Sequence, residues 1–331
     1  MRAMTTTLIA AASALFLFAG PVQAQDTEGE IYRVEEVVVE GRRLDEAARA
    51  YISAAAHPVP GRGPARWDQA ICVAAANFDP AVGQYLVDRV SDVAREIGLR
   101  AHEPDCHPSV VIIGTVDGAE FTRQFVGRRP KLFVVGGSGM DQGLSALERF
   151  QDSDAAVRWW HVSVPVDDET GRIAVRLPGL QVTAPADAGQ RDTELMAPIV
   201  RRNFASRLRE PHLDVMKRSF VIVDVDRLQG VTLEQLADYI AFVALAQVDP
   251  EADLSRFDSI LNLFQPGGRD TTGLSPWDRA YLDGLYDMRT GFVGRGAQTR
   301  ALTRSILDAY TAQVPADRAW TKPRLRLADA R

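Results

Sequence analysis

Four groups of residues in this 331-residue chain have the types and spacing to do chemistry. Cys72, Cys106 and the adjacent His107 form the first: two such thiols can close a disulfide, lie buried as small apolar residues, or ligate a metal with the imidazole. Two Cys and one His fall short of the four ligands of a structural zinc site, and the disulfide is the expected outcome. Gly136-Gly137-Ser138-Gly139 is a turn of the kind that can cradle phosphate. It has no Gly-Lys-Ser/Thr ending, and Met140 takes the last position of a would-be Gly-x-Ser-x-Gly elbow, so neither a nucleotide site nor a serine nucleophile is expected. His161 stands beside Trp159 and Trp160 with no Ser or Cys motif pointing to it, which reads as a packed histidine rather than a base. Asp224, Asp226 and Asp238 are carboxylates near an apolar helix, the residue type for general acid or base work.

The elements that must position these groups follow from hydrophobic period and punctuation. Residues 71–77 and 109–115 read as strands, and a helix opens at Asp79-Pro80 and runs to Ile97, with Leu86, Val90, Val93, Ala94 and Ile97 on one stripe. A short helix is expected over 118–126, and residues 132–135 lead through the glycine turn into a helical run at 144–150. Residues 157–166 and 172–177 read as a hairpin through Asp167-Asp168-Glu169-Thr170-Gly171. Residues 181–210 read as a long polar connection, helical over 203–208. After a strand at 219–225, Thr232 and Gln235 have capping-box spacing and open a helix that Asp249-Pro250 stops. Leu233, Leu236, Ala237, Ile240, Val243 and Ala244 make one face, and Tyr239, Phe242 and Leu245 carry apolar surface onto the others, the pattern of a buried helix. Asp238 is its one charge and requires a partner such as Arg. Residues 296–312 form a terminal amphipathic helix.

Composition bounds the function classes. A chain that is 46% hydrophobic and 25% charged can bury a sizeable core, and a formal charge of −6 argues against a broad electrostatic hold on nucleic acid. Arg2, the apolar run 8–19 and Val22-Gln23-Ala24 before Gln25 read as an export signal over residues 1–24. The run is shorter than the roughly 20 residues a membrane span needs, and no later segment qualifies, so no transmembrane anchor is expected. The chain is expected in the periplasm or secreted. Residues 25–65 read as an extended, flexible lead-in, residues 66–313 as the folded domain and 314–331 as a tail.

Two resemblances add to this. Glu35-Glu36-Val37-Val38-Val39-Glu40-Gly41-Arg42-Arg43 resembles the TonB box of TonB-dependent outer-membrane receptors, which implies a Gram-negative source and an exposed strand. Such a strand would use Glu36, Val37, Val38 and Val39 to add to a partner's sheet edge. The region from about 219 to 288 resembles the active-site part of zincin metallopeptidases, especially the matrixin-like metzincins. The resemblance rests on Thr232-Leu233, Leu236-Ala237, Ser259-Ile260-Leu261-Asn262 and Leu274-Ser275-Pro276-Trp277-Asp278 with Leu282, Leu285 and Tyr286. It implies an α+β fold: a zincin-like twisted mixed sheet with a backing helix and a buried central helix, followed by a mostly helical C-terminal part. That family's chemistry needs two His one helical turn apart, a third from the next loop and a Glu base. Here the ligand positions hold Asp238, Phe242 and Val248, the base position Tyr239, the glycine position Leu245, and Leu261 stands in place of the turn Met. No catalytic zinc residue, metal or cofactor is therefore expected. The expectation is a non-catalytic envelope protein that binds a polypeptide or envelope partner; a hydrolase using Asp224, Asp226 or Asp238 is the alternative.

Overall fold

A computed structural model of the chain describes residues 34–60, 62–103, 105–133, 142–167, 171, 173, 212–288 and 295–314. The export signal at 1–24, the glycine turn at 136–139, the connection at 181–210 and the tail beyond 314 lie outside these residues. The chain divides into two compact units, Met1–Glu40 and Gly41–Arg331, and the first is described only over residues 34–40.

The first helix, α1, is Val34–Ala55. It corrects the expected extended segment over Glu36, Val37, Val38 and Val39. From residue 43 onward the reason is plain: Ala48, Tyr51, Ile52 and Ala55 are buried at helical spacing, and Asp45 pairs with Arg49 one turn on at 2.8 Å. Once that stripe is packed, extending the helix through three valines costs only a few tenths of a kcal/mol each. Nor is the following stretch a loose linker. Ala56 bridges Val248, the amide of His57 donates to Gln247 O at 3.0 Å, and Arg62 pairs with Asp214 at 2.5 Å.

The described elements then run β1 Ala70–Ile71, β2 Val73–Ala76, α2 Pro80–Glu96, β3 Arg100–Ala101, β4 Val110–Thr115, α3 Gly118–Arg128, α4 Leu144–Asp152, β5 Val157–Asp167, β6 His212–Asp224, α5 Leu233–Leu245, α6 Pro276–Asp287 and α7 Arg295–Gln313. The fold is α+β, with a mixed four-stranded sheet and a helical C-terminal part. Strand order is β2-β4-β6-β5; the first three are parallel and β5 is antiparallel to β6. β1 and β3 form a small parallel pair, and Cys72 between β1 and β2 is disulfide-bonded to Cys106 with Cα atoms 6.0 Å apart. β5 pairs along its length with β6; of the expected hairpin the bridge from Ile173 to Val166 is formed, and residues 172 and 174–177 lie outside the described residues. Among the described residues no helix is long and apolar enough to cross a membrane.

Strand alternation feeds two cores. Val110, Ile112, Val157, Trp159, Val221 and Val223 face α2 and α5, whereas Ile113, Trp160, Val162, Phe220 and Ile222 face Phe133, Val126 on α3, and Leu147 and Phe150 on α4. Helix α5 is buried at every residue from Gln235 to Leu245, and its capping box is formed: Gln235 N donates to Thr232 Oγ1 and Thr232 N to Gln235 Oε1.

Candidate functional site

The positions singled out from sequence do not converge on one point. Asp238 faces α2, where Arg89 Nε donates to its Oδ1 at 2.5 Å and Leu274 N to its Oδ2 at 2.9 Å. Its partner is the arginine that a buried carboxylate demands. Phe242 is fully buried with its ring 6.0 Å from that of Tyr281, and Leu245 is fully buried with its carbonyl accepting from Tyr286 Oη. Val248 is buried in the bridge to Ala56. Space that ligating side chains would need is filled by apolar volume and by an ion pair.

The Ser259-Ile260-Leu261-Asn262 turn is held by Asp278, the N3 residue of α6. This carboxylate is fully buried and accepts four bonds: Oδ1 takes Tyr51 Oη at 2.7 Å and Ser259 Oγ at 2.6 Å, and Oδ2 takes Ile260 N at 2.8 Å and Ser275 N at 2.9 Å. Burial raises its pKa, and the hydrogen bonds from Ser259, Tyr51, Ile260 and Ser275 oppose that. Asn262 closes the turn from its other end through Leu254 O and Phe257 O. The carboxylates of the alternative hydrolase reading are not assembled: Asp224 is buried against the amide of Gly118, Asp226 is exposed, and Asp238 is the partner of Arg89. Among the described residues no group of three or more His, Cys, Asp and Glu side chains could hold a metal ion.

What the structure does assemble is a cleft of about 440 Å³ along the edge strand β5. Residues 157–161 form one side, Arg149 and Phe150 of α4 another, and Tyr239, Val248, Leu261 and Phe264 a third. Of the zinc-motif and turn positions, Tyr239, Val248 and Leu261 therefore share this cleft with Trp159, Trp160 and His161, and Asp238, Phe242 and Leu245 do not. Asp224 N donates to Ala156 O at 2.8 Å, which fixes the pairing parity of β5. In an antiparallel ladder the bonded residues alternate, so 158, 160 and 162 point their main chain at β6. Val157, Trp159 and His161 point theirs away from it, toward the cleft, and among the described residues no main-chain partner is formed there.

The polar groups at the cleft are few. His161 Nε2 lies 2.6 Å from Val243 O; a carbonyl only accepts, so Nε2 carries the proton and Nδ1 is the free acceptor of a neutral ring. Burial lowers the His161 pKa to about 4, the bond to Val243 opposes the shift, and His57 adds to it. Burial pushes the Tyr239 phenol upward, so it is un-ionised at neutral pH. Trp159 and Phe264 stand edge-on to the Tyr239 ring at 6.0 and 5.0 Å. At the rim His57 Nδ1 and Asp249 Oδ2 are 3.2 Å apart, and Arg149 and Glu251 3.6 Å. His57, Asp249, Arg149 and Phe264 carried no motif, and only their shared proximity to β5 marks them. Set against known proteins, the chain matches no family model, no curated protein and no solved structure.

Proposed function

We propose that the chain is an exported, zinc-free, zincin-like protein of the Gram-negative envelope that holds an extended polypeptide segment in the β5 cleft and does not hydrolyse it. The observation that carries this reading is the row of main-chain groups on Val157, Trp159 and His161, unpaired among the described residues and turned toward a cleft between α4 and a wall of Tyr239, Val248, Leu261 and Phe264. Buried peptide groups without partners cost free energy, and a strand added along this edge would satisfy them. Zincin-like ancestry is supported by the element order, by the buried capped helix α5 and by the Ser259–Asn262 turn seated on Asp278. The chemistry is lost because the ligand and base positions are occupied by Asp238, Phe242, Val248 and Tyr239.

Amide exchange tests the reading directly. In the free protein the amides of residues 158, 160 and 162 exchange slowly and those of 157, 159 and 161 quickly. With a permanently unfolded polypeptide, a reduced and carboxymethylated protein, the second set becomes protected. A stoichiometric bound zinc together with chelator-sensitive peptide hydrolysis would sink it, as would protection by the polypeptide at any face other than this edge.

A further inference from the structure

The polar groups of the cleft define which side chain such a segment presents. This inference rests on the strand-addition reading above. Residues paired across neighbouring strands put their side chains on the same face of the sheet. A residue docked opposite Trp159 therefore sends its side chain to the α5 face, beside Trp159 itself, Tyr239 and Phe264. His161 lies two residues further along the same face, at the diagonal distance of roughly 7 to 8 Å that an aromatic side chain spans.

Two polar atoms on that face have no hydrogen-bond partner among the described residues. One is Nδ1 of His161, left as an acceptor because Nε2–H is committed to Val243 O. The other is the Tyr239 hydroxyl, which can both donate and accept. Both residues are more than nine-tenths buried, yet neither atom is sealed in the core; they open on the cleft. Around them stand the aromatic faces and edges of Trp159, Tyr239 and Phe264.

We propose that the cleft selects an extended segment carrying a tyrosine opposite Trp159, its ring packed on Trp159 and Phe264, its hydroxyl donated to His161 Nδ1 and accepting from Tyr239 Oη. A phenylalanine fills the same apolar space but leaves both polar atoms desolvated and unpaired, which weakens binding by roughly tenfold or more. Glutamate or lysine buries a charge among aromatic rings, while the rim groups are already paired as His57 with Asp249 and Arg149 with Glu251, and binds far more weakly still.

The test uses the intact protein and blocked pentapeptides acetyl-Thr-Val-Xaa-Val-Thr-amide, with Xaa as Tyr, Phe, Leu or Glu, titrated calorimetrically while the 15N resonance of His161 Nδ1 is followed. The expected result is tightest binding for Tyr, with an Nδ1 shift that the Phe peptide does not produce. In Tyr239→Phe the preference for Tyr over Phe shrinks, the Tyr peptide losing affinity and the Phe peptide gaining it, because no Tyr239 hydroxyl is left unpaired. Equal binding of the Tyr and Phe peptides, with the amides of 157, 159 and 161 protected by both, overturns the tyrosine selection and leaves strand addition standing. Failure of all four peptides to bind or to protect those amides overturns both.

Discussion

At the scale of single residues, two buried groups govern this molecule. Asp278 is the acceptor on which α1, α6 and the 259–262 turn meet, through Tyr51, Ser259, Ile260 and Ser275. Replacing it by alanine strands four buried donors at once, so Asp278→Ala is expected to lose about 3 to 5 kcal/mol in urea denaturation, while Tyr51→Phe loses about 1 kcal/mol. His161 sets an acid limit. Its pKa is near 4 in the folded protein and near 6.5 when unfolded, so between these values the unfolded chain binds a proton that the folded one does not. Stability therefore falls as pH drops from about 6.5 to 4, by about 3 kcal/mol in total from this group, and is fully present above 6.5. Unfolding midpoints of wild type and His161→Gln at pH 7 and pH 4.5 measure the contribution; the variant should show the shallower acid slope. Both residues were visible in the sequence, Asp278 at the end of the Leu274-Ser275-Pro276-Trp277-Asp278 run and His161 as a packed histidine. The hub that Asp278 makes with Tyr51, 227 residues away, was not, because no local pattern encodes a contact of that separation.

At the scale of elements, the readable parts were those written in local code. Proline or capping-box starts placed α2 and α5 to within a residue or two, and the uninterrupted burial of α5 followed from its all-round apolar surface. One element was misread for a physical reason. Three consecutive valines in α1 have strand propensity, but a packed stripe further along the helix outweighs it. β5 was recognised as a strand, and the first bridge of its hairpin, Ile173 to Val166, is formed; its long pairing with β6 joins segments too far apart in sequence for a local pattern to encode. Its parity was equally illegible: both faces of β5 are buried, so the alternation of residues 157–161 does not say which main-chain groups meet β6. The packing of α7 on α6 gives a further test. A Cβ at Gly284 would lie 2.7 Å from the main-chain nitrogen of Ile306 and 2.9 Å from its Cα, neither of which can swing aside. Gly284→Ala is expected to destabilise by about 1 to 3 kcal/mol, read as a lowered Tm, with Gly127→Ala, where a Cβ meets nothing within 4 Å, as the control.

For the whole molecule, the disulfide is the covalent constraint that ties β1 and β2 to the segment before β4. It closes a loop across a sequence separation of 34, for which chain entropy gives about 4 kcal/mol. Urea titrations with and without reductant, and of Cys72→Ser/Cys106→Ser, should show a loss of that order and no change in the α+β signature while the protein remains folded. Such a bridge forms and persists only where thiols are oxidised, which accords with the proposed export.

The recessed edge of β5 carries a consequence for solubility and stoichiometry. Open sheet edges invite chain after chain to add, the route to fibres and aggregates. The opposite edge here is β2, only four residues long and followed by Asn77 in the left-handed conformation at φ 62°, which turns the chain off the sheet. β5 instead lies along a cleft of about 440 Å³, a volume that one extended segment of a few residues takes up. The protein should therefore stay monodisperse at high concentration and saturate at one bound segment per chain. Its most adhesive surface is limited to single occupancy by the shape of its surroundings rather than by charge.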